Sequence, residues 1–438
     1  MNCRNTIAVF SILVFSLGGV SLQAQTPETQ STEAPLPLAQ AEATALANQP
    51  RMLAAQLRAK AIQERVRQAR SAYFPTVGFS ATGARAADTG TATAVGNITT
   101  SAVSDRFAYG GNLTQLVTDF GRTSALVGSS RSSAQAQEDL ATLTRAQVRL
   151  NVRSAYYQVL GAEAVLRAAM AAQSNRHLVA RQLNALAQSE LKSTVDVNFA
   201  EVLASQADLA VVQAQSLVAQ QRSRLATSMG STQQITSPLA EPSSPETLPP
   251  DPESLLADAQ AQRADLNGAV AQEHAAQQFA KAEKRLSYPT LGIIGAAGQI
   301  PYHDHTLQDN YAAAGFNLNI PIFNGGLFGA RRAEAELEAD ARAKDVQQLH
   351  LEVTEQVRNS WQRANEAFKS LEVTGRLVAQ TKEALRLAQA RYDAGLGSIV
   401  ELNEAQVNET SAEITAADAN YTYLSRRTEL DFAAGLLN

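Results

Sequence analysis

The chain has 438 residues, enough for two or three domains with full cores. Its formal net charge is -5 and no run of lysine or arginine occurs, which argues against a nucleic-acid partner. The single cysteine, Cys3, precedes an apolar stretch, so the rest of the chain can form no disulfide, thiolate nucleophile or cysteine-based metal site.

Residues 1–24 read as a secretory signal, with Arg4, an apolar core over 7–20 and Leu22-Gln23-Ala24 closing it. That core is about 14 residues, short of the about 20 that a spanning helix needs. Polar Gln23, Gln25 and Thr26 follow at once, and no other apolar run is expected to cross a bilayer as a helix. Residues 25–37 form a polar, proline-rich flexible leader. A helical pattern over 38–72, interrupted at Asn48-Gln49-Pro50, stops at Pro75.

The period then becomes two. Val77, Phe79 and Ala81 alternate with Thr76, Gly78, Ser80 and Thr82, and after a Thr/Ala/Gly loop over 87–104, Phe107, Tyr109 and Leu113 alternate with Ala108, Gly110, Asn112 and Thr114. This predicts a strand hairpin over 74–118. Asp119-Phe120-Gly121 switches it to a helical hairpin over 122–230 that reverses near 190–194. Residues 231–253 hold Pro238, Pro242, Pro245, Pro249, Pro250 and Pro252 and read as a surface linker. A second series follows over 254–438: a helix, a strand hairpin over 288–323 with its last strand at 311–323, Asn324-Gly325-Gly326, and a helical hairpin over 327–435 that reverses at 395–398.

The two series are one unit repeated. Subtracting 205 carries Gly435 onto Gly230, Ala405 onto Ala200, Trp361 onto Tyr156, and Ser398-Ile399-Val400-Glu401-Leu402 onto Ser193-Thr194-Val195-Asp196-Val197. An offset of 214 carries Tyr288-Pro289-Thr290-Leu291-Gly292 onto Phe74-Pro75-Thr76-Val77-Gly78. The long helices, of roughly 65 residues, would be rods of about 100 Å. Val152, Ala155, Val159, Ala162, Leu166 and Ala169 mark a coiled-coil seam in the first, and Val357, Ser360, Ala364, Ala367 and Leu371 in the second.

Strands of about ten residues suit a tilted bilayer crossing, although a soluble sheet over a core alternates in the same way. Uncharged Asn, Thr, Ser and Gly on the polar face, and two isolated hairpins far apart in the chain, favour the membrane. Four strands cannot enclose a wet lumen and lipid tolerates no open edge, so several chains must contribute.

In order and spacing, Tyr73-Phe74-Pro75-Thr76, Ile320-Pro321-Ile322-Phe323-Asn324-Gly325-Gly326 and Ala390-Arg391-Tyr392-Asp393-Ala394-Gly395-Leu396-Gly397-Ser398, together with the duplication, resemble the TolC-like outer-membrane channels of Gram-negative efflux pumps and type I secretion systems. The resemblance covers essentially all of the mature chain. It implies a mixed α and β fold: a homotrimer whose chains each give four strands to one 12-stranded barrel in the outer membrane, continued by a long periplasmic α-helical barrel. The linker would lie at its equator and residues 87–104 and 301–310 would form outer loops. The implied partners are a periplasmic adaptor and an inner-membrane transporter of RND or ABC type, besides outer-membrane lipid.

The resemblance also implies roles for residues at the tip. Glu401 and Glu404, three apart, match acidic rings across the bore, up to six carboxylates in a trimer, which would favour cations. Read from the residues alone, both are N-terminal helix acids opposing the macrodipole. Asp196 and Tyr392 match gate positions. Gly397 stands where the family has a basic partner, with Lys192 a possible substitute. Lys192, Ser193, Gly395, Leu396, Gly397 and Ser398 match the adaptor-docking tip, although glycine also serves simply to reverse a helix.

No cofactor is implied and no catalytic or metal motif is found. His303-Asp304-His305 reads as a solvated loop, and His177, His274 and His350 as isolated helical residues. The expected function is a passive exit duct gated at its periplasmic tip, with small-solute efflux preferred over protein secretion. The rival is a periplasmic or secreted coiled-coil scaffold without a channel.

Overall fold

A computed structural model describes residues 34–85, 92–93, 101–102, 106–190, 193–242, 247–303 and 308–438. The signal, most of the leader, Lys192 and Asp304-His305 lie outside the described residues.

Two helices, α1 (Leu38–Asn48) and α2 (Pro50–Ser71), lead into β1 (Thr76–Ala84), with Pro50 at the first turn of α2 where its missing N–H costs nothing. A short ladder, β2 (Ala92–Thr93) against β3 (Ser101–Ala102), lies within the first loop, and β4 (Arg106–Thr118) returns. The rod α3 (Arg122–Gln188) and its return helix α4 (Thr194–Ser228) complete the first unit. The second unit has α5 (Pro252–Gln262), α6 (Ala264–Lys284), β5 (Thr290–Tyr302), β6 (Asn310–Asn319), α7 (Leu327–Asp393) and α8 (Ile399–Ala433). Each rod has 67 residues and each return helix 35.

The strands form one antiparallel sheet in the order β1-β4-β5-β6. Val77 lies opposite Leu113, Leu113 opposite Gly295, and Ile293 opposite Phe316, so Val77, Phe79, Leu113, Ile293, Phe316 and Leu318 share one face. Asn112, Thr114, Asn317 and Asn319 share the other. Val77, Phe79 and Phe316 are each about three-quarters exposed, so nothing among the described residues covers the apolar face. The last strand stops at Asn319, short of the predicted 323, because Pro321 has no N–H to give to a ladder.

The rods stand side by side. Towards the tip the order is α4-α3-α8-α7, and towards the sheet it is α2-α3-α6-α7. The return helices are therefore continued by the upper ones. The Gln49 amide donates to the carbonyls of Thr227 (3.1 Å) and Ser228 (3.0 Å), seating α2 on α4. Arg263 donates to the Ala433 carbonyl (3.1 Å), seating α6 on α8. Gly230 and Gly435 turn the chain at these joints with φ of 76° and 78°.

At mid-height the linker is tied to both rods by repeat-equivalent aromatics. The Tyr156 hydroxyl lies 2.7 Å from the carbonyls of Leu36 and Ala240, and the Trp361 ring N–H donates to the Pro249 carbonyl at 2.9 Å. Leu36 bridges Leu239, so the end of the predicted flexible leader is pinned to the linker. Two clusters form the core at this level, one of Met52, Val152, Tyr156, Val159, Leu160 and Leu225, the other of Leu255, Leu266, Val353, Val357 and Leu430. The predicted seam residues Val152, Ala155, Val159, Val357 and Ala364 are buried.

Contrary to the sequence reading, α4 is long and apolar enough by length and composition to cross a membrane, the one such helix among the described residues. It forms an edge of the wall, and its apolar stripe faces away from the chain's own core.

Candidate functional site: the tip of the rods

Both turns at the tip are built by local chemistry. At the first, Glu190 takes φ 59° and the Ser193 hydroxyl caps α4 by accepting from the Val195 N–H (3.1 Å). At the second, Gly395 takes φ 72°, and the N–H groups of Leu396 and Gly397 both donate to the Arg391 carbonyl (2.8 and 3.0 Å). Ser398 caps α8 by accepting from the Glu401 N–H (3.1 Å). A Cβ at Gly397 would stand 3.2 Å from both the Arg391 Cβ and the Tyr392 nitrogen, so the tight turn favours glycine there.

The gate candidates separate into distinct environments. Tyr392 is buried with Leu183, Ala200, Ala388, Ile399 and Leu402, a cluster that joins the tips of the two hairpins. Asp196 and Glu401 open the two return helices at equivalent positions, in their first turns. Glu404 is exposed. Glu401 is not free: its carboxylate lies 3.3 Å from the Arg391 Nε, both side chains being about half exposed. A basic partner for the second turn is therefore present, supplied by the end of α7 and not by position 397. Ser193, Gly395, Leu396 and Ser398 are exposed, whereas Gly397 is half-buried.

A polar layer further up the rods escaped the sequence reading. Arg176 of α3 is buried and donates to Gln406 of α8. Lys382 of α7 pairs with Glu413 of α8 at 2.7 Å. Burial, then the nearby Glu413, pushes the Glu409 carboxyl above the ordinary glutamate value, and burial lowers the Arg176 guanidinium. Extending the 3-4 spacing of the seam from Ala169 by seven residues lands on Arg176, a sign that was there to be read. His177, read as an isolated helical residue, has its Nε2 2.8 Å from Asp208 of α4, which also accepts from Gln173. Among the described residues no group of three or more His, Cys, Asp or Glu is placed to hold a metal.

Two halves of equal build, an uncovered apolar sheet and a bundle of rods agree with what other proteins show. The family described as "Outer membrane efflux protein" matches residues 43–231 and again 255–436, one stretch for each repeat. The chain belongs to the outer membrane efflux protein family. Among its relatives is the outer membrane protein TolC of Salmonella enteritidis, 24% identical over 185 residues, or 40% of this chain and 37% of that one. TolC of Escherichia coli K12 is 26% identical over 152 residues, 35% of this chain and 30% of that one. The aligned stretches thus span about a third of the length of these curated relatives. In fold the likeness runs the full height. The outer-membrane channel OprN superposes with a TM-score of 0.79 at 21% identity, covering 91% of this chain and 89% of the other. The MtrE outer membrane channel of Neisseria gonorrhoeae gives 0.77 at 20%, covering 91% and 88%. By family this chain is an outer-membrane protein, and its fold is that of the outer-membrane channels.

Proposed function

We propose that the protein is the outer-membrane exit duct of a tripartite efflux or type I secretion system, conducting passively what an inner-membrane transporter of RND or ABC type and a periplasmic adaptor deliver. The observation that carries this is the match between the open edges of sheet and wall. Among the described residues strands β1 and β6 each have one unpaired side, and the rods beneath them, α2 stacked on α4 at one edge and α7 at the other, have no neighbouring rod on the same sides. Val195, Phe199, Val202, Leu209 and Val212 stand exposed along α4, and Val373, Leu377 and Leu387 along α7, at spacings of three, four and their sums. Joining one edge to the other of the next copy is a heterologous contact that closes into a ring. Three copies give 12 strands, apolar face to lipid and Asn/Thr face to a wet lumen, and no open edge remains.

In this reading the tip is the gate. Tyr392 anchors the two hairpins to each other, Asp196 and Glu401 open the helices that surround the constriction, and Glu404 supplies an acidic ring that favours cations. Ser193 and the turn from Gly395 to Ser398 offer the docking surface to the adaptor. The test is single-channel recording of the detergent-purified protein in planar bilayers. Small cation-selective currents from a trimer support the duct. A protein that stays soluble and monomeric without detergent and inserts no channels would be a periplasmic scaffold instead.

A further inference from the structure

We propose that the junction between rods and strands carries a collar of repeated cation pairs that binds the phosphate headgroups of anionic phospholipid in the periplasmic leaflet of the outer membrane. This rests on the membrane placement of the sheet argued above and names a lipid partner for its lower rim.

The offset of 214 that relates the upper parts of the two repeats carries Lys281 onto Arg67, Lys284 onto Arg70 and Tyr288 onto Phe74. Both repeats therefore place two cations in the last turns of the helix that feeds a strand, and an aromatic four residues after the second cation, ahead of a proline. Phe74 and Tyr288 are exposed, by 67% and 42%. Arg70, Lys281 and Lys284 are exposed and form no ion pair among the described residues. Arg67 has only its surface neighbour Glu64, at 2.9 Å. The acid between the two lysines, Glu283, is buried and held by Arg331 at 2.8 Å, so it does not cancel them. The rim is thus positive in a chain whose net charge is -5.

The heights agree with a headgroup contact. Lys284 ends α6, and a single 3-10 turn over Arg285–Ser287, rising about 2 Å per residue, carries the chain about 6–8 Å to Tyr288. The uncovered apolar face begins just beyond, at Val77 and Leu291. Aromatic rings sit at the headgroup level of a bilayer, and basic side chains next to them are drawn to anionic lipid. A neighbouring copy packed on the edges of the wall leaves the second pair accessible, because α6 lies between α3 and α7 of its own chain. Favourable interaction of cations with helix C-termini accounts for their place in the last turns, but not for the exposed aromatic that follows each pair.

The full mature chain, purified in neutral detergent, would be incubated with an equimolar mixture of phosphatidylglycerol and phosphatidylcholine. Native mass spectrometry would count the lipid retained per complex, and planar-bilayer currents would be recorded from the same preparation. The wild type should enrich phosphatidylglycerol. Arg67→Gln/Arg70→Gln combined with Lys281→Gln/Lys284→Gln should lower the enrichment at each two-cation site by about 25-fold, since each of its two cations near an anionic surface is worth about fivefold. Lys281→Arg/Lys284→Arg should keep it. Equal enrichment in wild type and the glutamine variant would overturn the collar. So would unchanged lipid with altered ion selectivity, which would put the cations in the bore, or dissociation of the complex, which would put them between copies. Absence of current from the wild type would count against the duct and leave the lipid count to be read separately.

Discussion

Replacing Arg391 by glutamine tests how the acidic residues of the tip divide their work. In the structure Arg391 holds Glu401 across the second turn at 3.3 Å, while Glu404, one turn further on, has no such partner among the described residues. At that separation two unit charges in water attract by about 1.3 kcal/mol. Salt and the ordering of two long side chains reduce an exposed pair to about 0.2–1 kcal/mol. The pair can therefore bias the Glu401 carboxylate by at most about fivefold, enough to draw it from the bore but too little to lock a gate. Arg391→Gln should raise the cation-to-anion permeability ratio in planar bilayers by no more than about fivefold. Adding Glu401→Gln should return it to the wild-type value, and Glu404→Gln should lower it in either background. Unchanged selectivity in Arg391→Gln, together with its loss in Glu401→Gln alone, would refute the reasoning, because Glu401 would then act in the bore despite its pair.

Three further outcomes follow from buried chemistry higher up. Arg263, whose side chain is 5% exposed, is held by Asp265 (2.5 Å), Gln356 (3.0 Å) and the Ala433 carbonyl (3.1 Å). Arg263→Met strands a carboxylate and should cost about 3–5 kcal/mol, read as an earlier thermal loss of helical circular dichroism, and adding Asp265→Leu should recover most of it. Tyr156→Phe keeps the ring in its cluster but removes the single O–H that the Leu36 and Ala240 carbonyls share. It should cost about 1–3 kcal/mol and speed cleavage at Glu241 by a glutamyl protease. Because the Glu409 carboxyl is raised in the folded protein, its ionisation opposes folding, and stability falls as pH rises from the ordinary value of 4.5 through the higher folded one. Glu409→Gln should therefore raise the melting temperature at pH 7 and give no gain near pH 4, and equal gains at both would contradict this origin.

The architecture was legible because its causes are periodic. Val77 and Phe79 against Thr76 and Gly78 announce a strand, and Val152, Ala155 and Val159 a seam, with no knowledge of the partner. The duplication then supplies a second witness to each element. What escaped depends on contacts between distant residues or on a single atom. Arg391 reaches Glu401 ten positions away across a reversal, which no helical spacing suggests. The Gln49 and Arg263 contacts join helices that are 178 and 170 residues apart from their acceptors at Thr227 and Ala433. The early end of β6 follows from one missing N–H at Pro321, which outweighs the apolar run through Ile322 and Phe323. At the tip, Tyr392 and Glu404 could be marked from the resemblance, but the burial of the first and the exposure of the second belong to the packing of α7 on α8.

Each hairpin pairs one unbroken rod with one made of two stacked pieces, and this gives the lower half a mechanical character of its own. The breaks at Gly230 and Gly435 lie at mid-height, where the linker clasps the wall, so a pivot of the lower half would sit there. Below Gly435 the 35-residue α8 is a lever of about 50 Å. A rotation of about 10° at its pivot carries the far end by about 9 Å, from that length alone. Motion of this kind leaves the strands still, because the pieces above the breaks are separate helices and do not have to turn. In the proposed duct, force applied at the tip would thus be converted into aperture at one end of the molecule while the end placed in lipid keeps its shape.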